Sequence, residues 1–200
     1  MVTMKRDPVL LPARLVEGRL EAGVDEVGRG CLAGPVCAAA VILPPDFALP
    51  GLTDSKKLSP RRREAMDAVI RSRALAFGIG AATPEEIDRL NILNATFLAM
   101  ERAIVVLPYP PEQLLIDGNR FRSSLGIPFD TIVKGDARVA SIAAASILAK
   151  VYRDRLMAEL AESFPGYGWE RNAGYGTAEH LAAIAALGLT PLHRRSFHTS

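Results

Sequence analysis

Cysteine, long apolar runs and net charge are all scarce in this chain, and each scarcity excludes something. Of 200 residues only two are cysteine, Cys31 and Cys37, and their spacing matches neither a metal nor a redox motif. They read as small buried thiols of a reducing compartment, which excludes a disulfide-stapled scaffold. No apolar run reaches the ~20 residues that span a bilayer. Lys5-Arg6 and Val9-Leu10-Leu11 are broken by Pro12, too soon for a secretory signal. The expectation is a cytoplasmic protein with no membrane partner. The formal charge is only +2, with pI near 8.7, which by itself implies no polyanionic partner. There is no internal repeat and no low-complexity tract.

What is present suits a packed core. Hydrophobic residues make up 49% of the chain, enough for a real core, so disorder is not the default. The length fits one domain, here 1–200, with 1–17 as an N-terminal arm and about 164–200 as a helical C-terminal appendage. Alternation predicts strands over 18–27 and 35–43, joined by a glycine loop as an antiparallel pair. Ser59-Pro60 starts a helix that runs to about Ile70. Residues 74–82 form a third strand. Thr83-Pro84-Glu85-Glu86 is a capping box, and the helical pattern continues from Asn91 to Leu107. Leu114-Leu115-Ile116 and Phe129 to Val133 are the fourth and fifth strands. A long Ala-rich helix runs from Ala137 to Ser163, its small residues allowing close approach to the sheet. Thr177 caps a last helix to about Ala186. The sum is an α/β fold, a mixed five-stranded sheet flanked by helices with a helical C-terminal part.

Four acids stand out by position. Asp25 and Glu26 end strand one before Gly28-Arg29-Gly30, Asp117 ends strand four, and Asp136 opens the helix after strand five. Neighbouring strand residues point to opposite faces, so Asp25 and Glu26 share a ligand only where the strand ends or bends. Taken singly, Asp136 also reads as an N-cap and Asp117 as a turn residue. Sites in open α/β sheets lie at strand ends. If strands one and four are neighbours, the acids converge, and like charges so placed call for cations. Two divalent ions, Mg²⁺ or Mn²⁺, suit oxygen donors with no histidine nearby in sequence, and such pairs perform in-line phosphoryl displacement. The run Gly28 to Ala33 also fits the dinucleotide fingerprint. That motif must open a helix, whereas Gly34-Pro35 and a second strand follow here.

Longer segments carry a resemblance. They are Val24-Asp25-Glu26-Val27-Gly28-Arg29-Gly30 with Ala33-Gly34-Pro35-Val36, Asp54-Ser55-Lys56-Lys57-Leu58-Ser59, and Asn91-Ile92-Leu93 with Ala95-Thr96. Further on come Ile116-Asp117-Gly118-Asn119, Val133-Lys134-Gly135-Asp136, and the stretch from Ser141 to Val151. Gly174-Tyr175-Gly176-Thr177 and His193-Arg194-Arg195-Ser196-Phe197 complete the set. From about residue 20 onward the chain resembles the ribonuclease HII family, the type 2 ribonucleases H.

The resemblance implies a ribonuclease H-like fold and an endoribonuclease that hydrolyses RNA in RNA–DNA hybrids. It also implies cleavage 5′ of single ribonucleotides in duplex DNA, leaving 3′-hydroxyl and 5′-phosphate. Asp25, Glu26, Asp117 and Asp136 are then the catalytic and metal-holding carboxylates. Gly28, Arg29 and Gly30 read the ribose 2′-hydroxyl, with Tyr175 stacking on the next sugar. The 2′-hydroxyl is what separates RNA from DNA, and glycine backbone can approach it closely. Lys56, Lys57, Asn119, Lys150, Arg194 and Ser196 are the candidate phosphate contacts, which position without reading sequence. His193 is expected to be structural and His180, on the last helix, to lie at the surface. The expected partners are RNA–DNA hybrid and ribonucleotide-containing duplex, and the expected state is a monomer. Two other readings remain at this point: a metal-dependent DNA nuclease or resolvase of the same fold, and a catalytically silent hybrid-binding module.

Overall fold

The computed structural model describes residues 10–197. The beginning of the expected arm and the end of the basic tail lie outside the described residues. The chain forms strands β1 (Glu21–Val27) and β2 (Val36–Ile42), then helix α1 (Pro60–Arg73) and strand β3 (Ala76–Ala82). Helices α2 (Pro84–Leu90) and α3 (Ile92–Val105) follow, then β4 (Gln113–Asp117) and β5 (Phe129–Ile132). Helices α4 (Ala140–Ser163), α5 (Trp169–Asn172) and α6 (Ala178–Leu187) complete it.

The five strands make one mixed sheet in the order β3-β2-β1-β4-β5. β1 pairs antiparallel with β2, and β2 with β3, whereas β1–β4 and β4–β5 are parallel. Every residue of β2 is buried, as expected of a central strand covered on both faces. Its alternation sorts the two layers. Cys37, Ala39 and Val41 pack with α1 and α4, and Ala38, Ala40 and Ile42 pack with α3.

One glycine fixes how closely α4 lies on the sheet. A Cβ added to Gly23 would sit 2.2 Å from the Ser141 carbonyl carbon and 2.3 Å from the Ile142 nitrogen. The helix backbone therefore rests directly on β1, and the run Ala143-Ala144-Ala145 keeps the neighbouring contact equally shallow. This brings the start of α4 to the strand end that carries the acids.

The helix starts follow the side-chain chemistry. Ser59 accepts from the Arg62 amide at 3.4 Å with Pro60 at the first position, and Thr83 and Glu86 cap each other reciprocally. Two expectations need correction. The helical pattern is interrupted at Asn91, whose φ is 67°; its side chain accepts from the Asn94 amide at 3.1 Å and starts α3 afresh. The long helix begins at Ala140, not Ala137, because Gly135–Ala137 form a 3-10 turn and Val139 is extended. Asp136 is thus not the N-cap of that helix. The segment after Ser163 is helical only in α5 and α6, whose residues pack with Met157 around Trp169 and Tyr167. No helix among the described residues is long and apolar enough to cross a membrane.

Candidate active site

The strand register places the acids. Val24 pairs with Ile116 across parallel β1 and β4, so the next residues, Asp25 and Asp117, emerge side by side. β5 lies beyond β4, with Asp117 opposite Ile132. The turn after β5 then folds back, and the Gly135 and Asp136 amides donate to Asp117 Oδ1 at 2.7 and 3.4 Å. Asp25, Glu26, Asp117 and Asp136 all line one cleft of about 570 Å³.

Burial and like charge dominate its electrostatics. Asp25 is only 5% exposed. Burial holds its carboxyl well above the usual carboxylate range, and the charges of Glu26 and Asp117 push the same way. Glu26 is raised by burial and by Asp117, against the pull of Arg29, whose guanidinium lies 3.4 Å from Glu26 Oε1. Asp136 is raised by burial and by Asp117 and Asp54, opposed by Lys56 and Lys57. Such a group of acids favours cation binding, and the donors are all hard oxygens of the kind that take Mg²⁺ or Mn²⁺. As arranged, the oxygens are partly engaged within the protein: Asp25 Oδ1 accepts from the Glu26 amide at 2.7 Å and Asp117 Oδ1 from the turn. Among the described residues no three His, Cys, Asp or Glu side chains are drawn together as a closed metal cage. The donor chemistry fits a divalent ion.

The other candidate residues divide into three groups. Gly28, Arg29, Gly30, Lys56, Lys150 and Tyr175 line the same cleft. Tyr175 is fixed there by a backbone bridge to Cys31, its ring 5.8 Å from Lys150 Nζ. Lys150 is also bound to Asp154 at 2.6 Å. Asn119 lines an adjoining cleft of about 400 Å³ that shares Glu26, Arg29 and Asp117. Lys57 is exposed outside both.

Two expected phosphate contacts are placed otherwise. Arg194 is 1% exposed, and its guanidinium donates to the carbonyls of Gly34, Arg29 and Gly28 at 3.0, 2.8 and 2.6 Å. It holds backbone rather than reaching phosphate. Ser196 donates from its amide and hydroxyl to Asp88 at 2.9 and 2.6 Å, pinning the tail to α2.

His180 is a correction in the other direction. It is fully buried. Its Nδ1 donates to the Tyr175 carbonyl at 2.9 Å, and its Nε2 accepts from Trp169 Nε1 at 3.0 Å. His193 Nε2 lies 3.1 Å away, and the Thr190 amide donates to His193 Nδ1 at 2.9 Å. These partners assign both tautomers and require both rings neutral. His193 is structural, as the sequence suggested.

The sequence reading passed over Ser55, Ser146 and Phe197 as lining residues. Ser55 and Ser146 are bonded at 3.0 Å beside Asp25. Their signal was faint: single hydroxyls in a loop and in an otherwise apolar helix.

Comparison with known proteins gives a consistent result. The family model described as Ribonuclease HII matches residues 22–200. A ribonuclease HII of Porphyromonas gingivalis is 57% identical over 189 residues, 94% of either chain. Among solved structures, ribonuclease HII in its complex with PCNA from Archaeoglobus fulgidus has TM-score 0.74 and 26% identity, covering 90% of this chain and 95% of that one. Bst-RNase HIII in complex with Mn²⁺ shares the fold at TM-score 0.67 and 19% identity, covering 94% of this chain and 70% of that one.

Proposed function

The chain belongs to the ribonuclease HII family, and from that premise we propose that its four clustered carboxylates hold divalent cations with which it cuts RNA paired to DNA. The substrates are RNA–DNA hybrids and duplex DNA carrying single ribonucleotides, cut on the 5′ side to leave 3′-hydroxyl and 5′-phosphate. The observation that carries the reading is the meeting of Asp25, Glu26, Asp117 and Asp136 in one cleft beside Gly28-Arg29-Gly30 and Tyr175.

Asp25, Glu26, Asp117 and Asp136 would hold Mg²⁺ or Mn²⁺, and such ions activate water and stabilise the leaving oxygen of an in-line displacement. The residues of the chain do the rest. The exposed backbone of Arg29 and Gly30 meets the 2′-hydroxyl, and Gly30 leaves the approach open, since a Cβ there would touch nothing within 4 Å. The exposed ring of Tyr175 offers an apolar face to the adjoining sugar. Lys56 and Lys150 sit at the rim of the cleft, where a phosphate backbone must pass. Asp117, tied to the turn that carries Asp136, keeps two of the acids at a fixed spacing.

The test is a labelled duplex with one ribonucleotide beside its all-DNA twin, each with and without Mg²⁺ or Mn²⁺. Cutting of the first alone, and only with the ion, is the expected result. Cutting of the all-DNA duplex would replace this reading with a DNA nuclease of the same fold, and binding without cutting would leave a silent hybrid-binding module.

A further inference from the structure

Two buried arginines without carboxylate partners hold the loop that faces the substrate. Arg153 is fully buried on α4 and donates to the carbonyls of Pro35, Ala173 and Ala33 at 2.9, 2.8 and 3.0 Å. Arg194 takes the carbonyls of Gly34, Arg29 and Gly28. Together the two guanidinium groups engage five carbonyls of the loop between β1 and β2, and one from the segment that leads to Tyr175.

Burying a cation is costly unless it is well bonded, so this expense calls for a reason. Peptide planarity supplies one. The carbonyl of one residue and the amide of the next point in opposite directions across a trans peptide. Holding the Gly28 and Arg29 carbonyls inward therefore aims the Arg29 and Gly30 amides outward. Those two amides find no backbone acceptor among the described residues, whereas Leu32 and Ala33 donate to the Gly174 carbonyl and Gly34 to that of Leu192. Gly28 has φ 91°, and a Cβ on it would lie 2.3 Å from Arg153 Nε, so glycine is required beside the bracket as well as for the backbone angle. Arg153 also reaches the Tyr175 side of the cleft, its Cζ 6.0 Å from the ring.

Resting on the functional reading above, we propose that Arg194, supported by Arg153, is a positioning residue: it turns the Arg29 and Gly30 amides toward the ribonucleotide and fixes their distance from Tyr175, and so sets which phosphodiester is cut. Neither arginine touches substrate. Their common contribution is the orientation of peptide groups that do.

The test compares the full chain with Arg194→Lys, both with Mg²⁺, at a temperature where circular dichroism shows both folded. Lysine keeps the charge but lacks the planar fork that spans separate carbonyls. The substrate is duplex DNA with a short run of ribonucleotides, and the products are resolved by cut position. A loosened recognition loop spreads the cuts over neighbouring bonds and lowers kcat by up to about a hundredfold, with KM little changed. A partly unfolded preparation lowers the total but leaves the distribution of cuts as it was. An unchanged distribution in a folded variant overturns the proposal while leaving the functional reading intact; failure of the unaltered chain to cut at all sinks both. Should Arg194→Lys not fold, the same question goes to the unaltered chain by NMR. The Arg194 Nε–H resonance should shift on binding a ribonucleotide duplex without metal and not on binding its all-DNA twin. Equal responses to the two duplexes overturn the bracket.

Discussion

Asp25 and Asp117 leave neighbouring parallel strands at the same level, because Val24 pairs with Ile116 one residue earlier on each strand. The backbone register, not side-chain flexibility, brings them together. Asp25→Asn should therefore keep the fold, since the amide has the same shape and can still accept from the Glu26 backbone. It should lower cleavage by about a thousandfold or more, as loss of a member of a concerted group does. Thermal unfolding and the single-ribonucleotide gel check the two halves; robust cutting by a folded variant would remove Asp25 from the chemistry.

The raised acids give the metal-free protein a defined pH dependence. A carboxylate whose folded pKa lies above its unfolded one favours the protonated fold. Its contribution is full below the unfolded value near 4 and is lost as pH rises through the raised folded value. Asp25, Glu26 and Asp136 all shift upward. In chelator the unaltered chain should lose unfolding temperature relative to Asp25→Asn, which lacks one of these titrations, as pH climbs from about 4 toward neutrality. Added Mg²⁺ or Mn²⁺ should restore it, and by more near pH 8 than near pH 5, because ligand binding to the folded state raises stability. Each unit of relieved shift corresponds to about 1.4 kcal/mol, or roughly 3–5 °C in a domain of this size. An ion effect equal at both pH values would disconnect the ions from these carboxylates.

Much of this site was legible because strand ends and caps are local. The apolar run Leu114-Leu115-Ile116 ending in Asp117 announced its own geometry, and Thr83 with Glu86 announced a helix start. The sheet order was not legible in the same way: that β1 and β4 are neighbours entered only as a condition, and the parallel pairing of the two strands met it. What stayed hidden depends on contacts distant in sequence. Arg194 stands in a basic run and looks like a phosphate contact; only the fold brings it to carbonyls 160 and more residues earlier. His180 reads as one polar residue on a short helix, and its burial depends on His193, thirteen residues on, and on Trp169. The break at Asn91 was closer to legible, since asparagine tolerates positive φ and caps helices well.

Three glycines separate packing from function. Gly23→Ala drives a methyl into the α4 backbone at 2.2 Å, which rotamer changes cannot relieve. It should cost about 3 kcal/mol or more in urea unfolding. Gly28→Ala meets both a left-handed backbone and Arg153 and should destabilise as well. Gly30→Ala meets nothing, so its unfolding midpoint should stay close to that of the unaltered chain. The new methyl would instead stand where ribose approaches, and kcat/KM on a single-ribonucleotide duplex should fall by about tenfold or more. Unimpaired cleavage by Gly30→Ala would place the 2′-hydroxyl elsewhere.

The buried histidine pair makes the fold acid-sensitive on its own account. Burial, with the neighbouring His180, pushes His193 down to about 4, and burial lowers His180 as well. A histidine with a depressed folded pKa binds its proton first in the unfolded state. Stability is then full above the unfolded value near 6.5 and is lost as pH falls from there to about 4. The surroundings explain the direction: both rings are buried side by side, the Thr190 amide points at His193 Nδ1, and two N–H groups point at His180 Nε2, so an added charge is poorly accommodated. His193→Asn keeps an acceptor for the Thr190 amide and removes the titration. Its unfolding free energy should be lower at neutral pH, by about 1–3 kcal/mol for the abandoned bond to His180, and should fall less steeply between pH 6.5 and 4. Because His180 holds the Tyr175 carbonyl, the same variant should loosen Tyr175 and raise KM for the ribonucleotide duplex. An acid limb with the same slope in both proteins would show that other groups govern it.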